Sequence, residues 1–210
     1  MIKINLKRAR KAQKIIASKI ILKDLFKKPV KFVGGVDVAF SKEKMIGAAV
    51  VLNYPNFELC EYKVVKMAIK VPYIPTFLAF REAPVMMKAV KSLRIVPDLL
   101  LVDANGILHP LKAGEASHIG VVLNMPTIGV AKSLLCGTIR KINGRKAIFL
   151  DDEIVGFEVQ IGKKKLYISP GHGVSLNSSL EYALKYVKNG HIEPLRQAHL
   201  IANRAKRTLN

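Results

Sequence analysis

The sequence predicts an α/β protein in which helices flank a mixed sheet, with an antiparallel three-stranded meander followed by parallel strands. Three apolar stretches come first, separated by short polar or proline-containing connections, which is typical of a meander. Two short, wholly apolar runs follow, as expected for central strands covered on both faces. No repeat or long linker divides the 210 residues, so we expect a single domain over residues 1–210.

The first segment of the chain is strongly basic, since residues 1–31 carry eleven Lys or Arg against Asp24 alone. Apolar residues recur in it at roughly helical spacing, at Ala9, Ala12, Ile16 and Ile20. This pattern predicts a basic amphipathic helix over about 1–29, ended by Pro29, whose apolar stripe docks on the main body. Its lysines either form a solvated face or contact phosphates.

The remaining elements follow in chain order. Strands are predicted at 32–40, 45–52, 57–66, 99–102 and 127–130, and helices at about 80–93, 115–123, 176–188 and 194–206. Hairpin turns are predicted near 143–144 and 162–163. Three antiparallel strands, helix, strand, helix and strand is the order of elements in a ribonuclease H-like sheet.

The composition favours a polyanionic partner. With 35 Lys and Arg against 15 Asp and Glu the formal net charge is +20, while half of the residues are hydrophobic, so the charge does not indicate disorder. Nucleic acid is the first candidate because its phosphates present a dense line of charge, and an anionic membrane surface is the second. The positive charge by itself also allows a non-catalytic nucleic-acid-binding protein.

The cysteines and the apolar runs indicate a cytoplasmic protein. Cys60 and Cys136 lie far apart and neither belongs to a C-x-x-C pair, so neither a zinc ribbon nor a disulfide framework is expected. No apolar run approaches the length of a membrane span, and the basic N-terminal stretch lacks the apolar core of a secretory signal. We therefore expect no membrane partner, and we expect the protein to be a monomer.

Three carboxylates are candidates for chemistry. Asp37 lies inside an apolar strand, Asp103 follows an apolar run, and Glu82 opens a helix. A buried carboxylate is costly unless it is paired or binds a metal, and three that converge would form the oxygen cage that Mg²⁺ or Mn²⁺ prefers. Each of them alone fits an outward-facing strand residue, a turn or a cap equally well.

Short motifs across 35–132 carry a more specific signal. They are Pro-Tyr-Ile-Pro at 72–75, Arg-Glu-Ala-Pro at 81–84, Pro-Asp-Leu-Leu-Leu-Val-Asp at 97–103, His-Pro at 109–110, Ala-Ser-His-Ile-Gly at 116–120 and Pro-Thr-Ile-Gly-Val-Ala-Lys at 126–132. In this order and spacing they resemble endonuclease V, the deoxyinosine 3′-endonuclease family. Ser-Pro-Gly-His at 169–172 and the C-terminal part extend the likeness to most of the chain.

The resemblance implies a metal-dependent nuclease of DNA repair with a ribonuclease H-like fold. Such an enzyme uses Mg²⁺, or Mn²⁺ as a substitute, and hydrolyses the second phosphodiester bond 3′ to a deaminated adenine, leaving 3′-hydroxyl and 5′-phosphate ends. It implies that Asp37, Glu82, Asp103 and His199 hold the metal. Lys132 would donate to the scissile phosphate, and His109 would orient a phosphate or a water.

The resemblance also assigns residues to the substrate. Pro72, Tyr73, Ile74 and Pro75 match a wedge that fills the gap left by the lesion base, with Leu78 and Arg81 as further DNA-contacting residues. Ala104, Gly114, Gly129 and Leu135 match positions of the lesion pocket. This chain departs from the family pattern at Ala104 and Thr76, where glycine is usual.

Two other functions remain open at this stage. One is a ribonuclease H-like nuclease that acts mainly on inosine-containing RNA or on flap and mismatch structures. The other is the non-catalytic basic nucleic-acid-binding protein.

Overall fold

The structure, a computed structural model, describes residues 4–208 and is built around one nine-stranded sheet. The strands that form it are β1 (Phe32–Phe40), β2 (Lys44–Asn53), β3 (Leu59–Ala68), β4 (Leu99–Val102), β5 (Thr127–Ala131), β6 (Thr138–Ile142), β7 (Arg145–Leu150), β8 (Glu153–Ile161) and β9 (Lys164–His172), in the spatial order β3-β2-β1-β4-β5-β9-β8-β7-β6. The helices are α1 (Leu6–Ser18), α2 (Leu78–Lys91), α3 (Glu115–Leu123), α4 (Leu176–Lys185) and α5 (Glu193–Arg207), and a small hairpin of β10 (Val187–Lys188) and β11 (His191–Ile192) lies apart from the sheet.

The predicted mixed sheet is confirmed. Strands β1, β2 and β3 form the antiparallel meander, and β4 and β5 then run parallel to β1. The third strand begins two residues later than predicted, because Phe57 has a positive φ of 61° and the Asn53 side chain accepts a hydrogen bond from the Glu58 amide. This turn uses residues that the apolar pattern assigns to the strand.

The second half of the sheet is antiparallel. Strand β9 pairs with β5, and β8, β7 and β6 follow it outward. Both predicted hairpin turns are present, and each has residues of positive φ: Asn143 at 48°, Gly144 at 76° and Gly162 at 58°. The strands that flank these two turns join the same sheet as the five strands whose bounds the sequence predicts.

Helices cover both faces of the central strands. Side chains alternate along β4, so that Leu100 and Val102 pack with α2 and α3 on one face while Leu99 and Leu101 pack with α4 and α5 on the other. Burial on both faces explains why this strand is apolar throughout. It also places any side chain at the end of β4 between the two helical layers.

The basic N-terminal helix is shorter than predicted. Helix α1 ends at Ser18, and Met1–Lys3 of the predicted helix lie outside the described residues. The chain then turns to the β9–α4 connection, where Gly173 bonds the Ile21 carbonyl and the Leu25 amide, and the Asp24 carboxylate accepts from Ser175 and Ser178. These bonds replace the helical ones that the periodicity predicts.

The predicted apolar stripe of α1 docks only in part. Ala9 and Ile16 are buried, together with the polar Gln13, whereas Ile15 is about half exposed. In the described part of the chain, no helix is long and apolar enough to cross a membrane.

The two C-terminal helices change their bounds because a hairpin separates them. Helix α4 ends at Lys185, three residues before the predicted end, since β10 and β11 turn through Asn189 and Gly190, both of positive φ. Helix α5 then begins at Glu193 and crosses β1 closely. A Cβ at Gly35 would lie 2.2 Å from the Pro194 carbonyl oxygen, so glycine is needed for this approach.

We expect Gly35→Ala to destabilise the protein by roughly 1–3 kcal/mol, because α5 would have to move away from β1. Urea unfolding measures the effect. Gly34→Ala is the matched control on the opposite face of the strand, where the nearest atoms belong to the side chains of Leu100 and Pro97. Equal losses in the two variants would contradict the role given to the α5 contact.

Candidate active site

The strand register places two aspartates side by side. Val36 of β1 pairs with Val102 of β4 in parallel, and the Asp103 amide donates to the Val36 carbonyl at 3.2 Å. Asp37 and Asp103 are the next residues on the two strands, so both carboxylates lie at the carboxyl end of β4. The predicted meeting of these two residues follows from this register.

Asp37 is buried and paired. Its side chain is 9 % exposed, and one carboxylate oxygen lies 2.7 Å from His199 Nδ1 of α5 while the other accepts from the Val38 amide. Burial raises the pKa of Asp37, Asp103 raises it further, and the bonds from His199 and Val38 oppose the shift. The structure thus brings His199 to the carboxylates, across the sheet face that Gly35 leaves open.

Asp103 is paired with Lys132, which follows the end of β5. The ammonium donates to one oxygen of Asp103, and the lysine side chain stays 62 % exposed. Burial lowers the pKa of Lys132, but the attraction of Asp103 and Asp37 outweighs it, so the pKa is raised overall. Lys132 therefore remains a cation at the cluster, accessible from solvent.

Glu82 reaches the same place from α2, on the other face of the sheet. Burial raises the pKa of Glu82 to about 7, with Arg81 lowering it and Asp37 and Asp103 raising it. Carboxylates from both helical layers thus act on one another at the end of β4. The charges of Asp37 and Asp103 thus affect the pKa of Glu82, whereas a metal site shared by the three carboxylates stays a prediction.

A fourth carboxyl group, Glu115, belongs to the same region and was missed by sequence reasoning. It is the first residue of α3 and is 3 % exposed. Burial raises the pKa of Glu115 well above its ordinary value, and the negative charges of Glu82, Asp103 and Asp37 raise it further. An acidic residue in the first turn of a helix is common, because it interacts favourably with the helix dipole. The sequence therefore carried no signal that this one is buried.

The donor set fits a divalent metal in chemistry but is not arranged around one. Within residues 4–208, no three His, Cys, Asp or Glu side chains are placed to share a metal ion. Asp37 and Asp103 instead direct an oxygen each at His199 and Lys132. Carboxylate oxygens are nevertheless the ligands that Mg²⁺ and Mn²⁺ prefer, and the mutual repulsion of these groups favours a cation between them.

The loop 72–75 is exposed and firmly supported. Tyr73 is 64 % exposed between two prolines, so it is not packed on the core. The next residue after the loop, Thr76, has a φ of 66°, and its carbonyl accepts from Gln13 Nε2 at 2.5 Å and from His109 at 2.9 Å. Helix α1 therefore supports the loop through a hydrogen bond from Gln13. The basic composition of this helix does not predict such a contact.

His109 and Arg81 make other contacts than the predicted ones. His109 Nδ1 accepts from the Leu111 amide at 3.1 Å, which leaves Nε2–H to donate to Thr76, and burial lowers the pKa of the ring. In the described structure both ring nitrogens therefore bond the backbone, Nε2 at Thr76 and Nδ1 at Leu111, and the role of His109 toward a phosphate or a water stays a prediction. The Arg81 guanidinium lies over the Phe40 ring at 4.7 Å.

A small cavity of ≈ 130 Å³ opens beside Tyr73. Five of the predicted substrate residues line it: Tyr73, Leu78, Ala104, Gly114 and Leu135. A Cβ at Gly114 would lie 2.3 Å from the Gly106 carbonyl oxygen, so only glycine fits. Gly129 is absent from the lining, because it packs behind the wall against Gly106 and Ala104.

A larger cleft of ≈ 440 Å³ leads away from the carboxylates on the α5 side. Asp103, Lys132 and His199 stand at its start, and its walls add the basic side chains of Lys164 and Arg196. The sequence did not single out these two residues, since they lie on separate elements whose approach depends on the fold. Most of the other lining residues are apolar, and Arg196 is paired with Glu193.

Comparison with known proteins adds the decisive observation. The family model Endonuclease V matches residues 14–200. The chain belongs to the endonuclease V family. It is 42 % identical over 203 residues to an endonuclease V of Thermofilum pendens, covering 94 % of this chain and 88 % of that relative. It is therefore an endonuclease, and the non-catalytic alternative is wrong.

Solved structures of endonuclease V share the fold. The Streptomyces avermitilis enzyme superposes with a TM-score of 0.90 at 28 % identity, over 99 % of this chain and 95 % of that one. The Ciona intestinalis enzyme, in complex with a DNA that contains an inosine followed by a ribo-adenosine, gives 0.86 at 27 % identity, over 98 % of each chain. The ribonuclease H-like fold expected for the endonuclease V family is confirmed.

We expect Glu82→Gln to stabilise the protein in EDTA at pH 8 by roughly 2–3 kcal/mol. The folded state holds the pKa of Glu82 near 7 and the unfolded state near 4.5, so folding becomes less favourable as the pH rises from 4.5 to 7. The amide removes this penalty, and the gain should vanish at pH 4, where the carboxyl is protonated in both states. Denaturant unfolding at the two pH values measures it.

Glu181→Gln is the control, because Glu181 is exposed on α4 and paired only with Lys185 in the described structure. If Glu82→Gln is less stable than wild type at pH 8, the ionised Glu82 carboxylate does not destabilise the folded state and the prediction is wrong.

Proposed function

We propose that this chain is a metal-dependent endonuclease of DNA repair that recognises deoxyinosine. It hydrolyses the second phosphodiester bond 3′ to the lesion and leaves 3′-hydroxyl and 5′-phosphate ends. The observation that carries the proposal is the placement of the carboxylate cluster between two openings, the small cavity beside Tyr73 and the basic cleft. Asp103 and Lys132 line the cleft, and Ala104 lines the cavity, so adjacent residues connect the two.

The carboxylates would hold the metal that the reaction needs. Asp37 and Asp103 would bind Mg²⁺, or Mn²⁺ as a substitute, with Glu82 and His199 completing the ligand set. A divalent ion bound there supplies an activated water and offsets charge on the phosphate. Lys132 would leave Asp103 to donate to the scissile phosphate, which its exposed side chain permits.

The wedge and the cavity would select the lesion. The two prolines and the bonds to the Thr76 carbonyl keep Tyr73 in place, so little conformational entropy is lost when the ring enters the base stack. A base that leaves the stack opposite this wedge has the adjacent cavity to enter. Unstacking costs least at a damaged or mismatched pair, which gives part of the selectivity.

Inosine-containing RNA is the second candidate substrate. The Ciona relative is described with a ribo-adenosine after the inosine, so a ribose at that place is compatible with binding in that protein. Matched DNA and RNA strands with one inosine each would distinguish the two substrates. We propose the cytoplasm as the compartment, in keeping with the two free cysteines.

With Mg²⁺, we expect purified protein to nick a duplex with one deoxyinosine at a single place. The position, mapped on an end-labelled strand, should be the second phosphodiester 3′ to the lesion, and the same duplex with deoxyadenosine should stay intact. A nick elsewhere, or equal cutting of both duplexes, would refute the proposed specificity.

We expect Asp103→Ala to reduce cutting by roughly 100-fold or more while binding persists, because it removes a carboxylate of the proposed metal site and leaves the basic side chains of the cleft in place. Tyr73→Ala should instead weaken binding to the inosine duplex by roughly tenfold, since a stacking ring is lost. Gel-shift and single-turnover assays separate the two effects. Asp152→Ala, in an exposed turn, is the control, and equal loss of binding and cutting in both variants would argue against separate roles.

A further inference from the structure

The charges of helix α1 lie where they destabilise the helix. It carries five basic side chains and no acidic one, at Lys7, Arg8, Arg10, Lys11 and Lys14. Lys7 and Arg8 lie in the first turn, where the helix dipole favours acidic groups, and the last turn, where it favours cations, has no basic residue. Helix stability therefore does not account for this placement of charge.

These basic side chains also repel one another. Lys7 and Lys11 are four positions apart, as are Arg10 and Lys14, and like charges at this spacing are neighbours that destabilise a helix. In the described structure no carboxylate forms an ion pair with any of the five, and Asp24, the nearest acid in the sequence, is paired elsewhere. A negative partner outside this chain would offset the repulsion.

Three of the lysines form a ridge on the solvent side of α1. This lysine ridge consists of Lys7, Lys11 and Lys14, all of them exposed, on the side of the helix opposite its buried residues. From Lys7 to Lys14 the helix rises by about 10 Å. Phosphates of one DNA strand follow one another at about 3.4 Å along the duplex axis, so the ridge has the length of two or three successive phosphates.

Helix α1 lies directly beside the loop that carries Tyr73. Gln13 donates to the Thr76 carbonyl, and the Arg10 guanidinium lies 5.5 Å from the centroid of the Phe77 ring. Because the loop is the proposed wedge, a polyanion on the lysine ridge would be the part of the nucleic acid next to the wedge.

We propose that the lysine ridge binds backbone phosphates of the duplex DNA that flanks the lesion, whatever its base sequence. The proposal rests on the proposed function only for the choice of DNA as the ligand, and it needs no recognition of the lesion. A membrane surface fits α1 less well, because a helix that lies on lipid presents its apolar stripe to it. Here Ala9 and Ile16 of that stripe are buried against the protein, although Ile15 is exposed.

The test compares two variants that lose the same charge. The ridge variant combines Lys7→Gln, Lys11→Gln and Lys14→Gln. The control variant replaces by Gln three exposed basic residues at the end of α2 away from the wedge, which are Lys88, Lys91 and Arg94. Dissociation constants for a duplex with one deoxyinosine and for the same duplex with deoxyadenosine are measured by fluorescence anisotropy. The measurements are made in EDTA, so that no strand is cut, between about 50 and 200 mM salt.

We expect the slope of log Kd against log salt concentration to fall by about two to three in the ridge variant, since each lost phosphate contact removes about 0.9. The fall should be the same for both duplexes, and the slope of the control variant should change by less than about one. An unchanged slope in the ridge variant, or equal changes in the two variants, would overturn the proposal. A fall seen only with deoxyinosine would also overturn it, because the contact would then depend on the lesion.

Folding and membrane binding are checked separately. Glutamine removes like-charge repulsion, so the ridge variant should unfold at a temperature no lower than wild type. If it does not fold, Lys11→Gln alone should lower the slope by about one. Flotation with vesicles that contain phosphatidylserine tests the other partner, and vesicle binding lost in the ridge variant while the DNA slope stays unchanged would overturn the proposal.

Failure of the proposed function has a different signature. If wild-type protein with Mg²⁺ leaves the deoxyinosine duplex intact, the proposed activity is refuted. The difference in slope between the ridge variant and the control variant can still be measured in that case, because it is read from binding to both duplexes in EDTA.

Discussion

Repulsion between carboxylates at the end of β4 is the constraint on which the rest of the site depends. The register of β1 with β4 makes Asp37 and Asp103 neighbours, and α2 and α3 bring Glu82 and Glu115 close to them. Lys132, which follows β5, offsets part of this charge, and His199 of α5 forms a hydrogen bond with Asp37.

The positive charge of the chain has several separate uses. The cationic cleft beside Asp103 can hold phosphates of any sequence, and affinity of this kind falls with salt concentration. Helix α1, although basic, also acts through a neutral side chain, since Gln13 bonds the Thr76 carbonyl and so supports the wedge. Net charge therefore explains attraction to nucleic acid but not the choice of a site along it, for which we propose Tyr73 and the cavity.

The wall of the cavity shows how close packing prepares a binding site. Gly114 and Gly129 let three backbone segments approach one another more closely than a side chain would allow. The Gly114 amide donates to the Gly106 carbonyl, so this close approach is also hydrogen-bonded.

The sequence by itself determined the order of the elements, the meander, the buried central strands and the three carboxylates Asp37, Glu82 and Asp103. These follow from local patterns, because apolar alternation and turn residues act over a few positions. Tertiary structure alone decided that α1 stops at Ser18, that His109 supports the wedge, and that Glu115 is buried in the cavity wall. Each of these depends on partners 33 or more residues away, or on packing between layers, and no local pattern records such contacts.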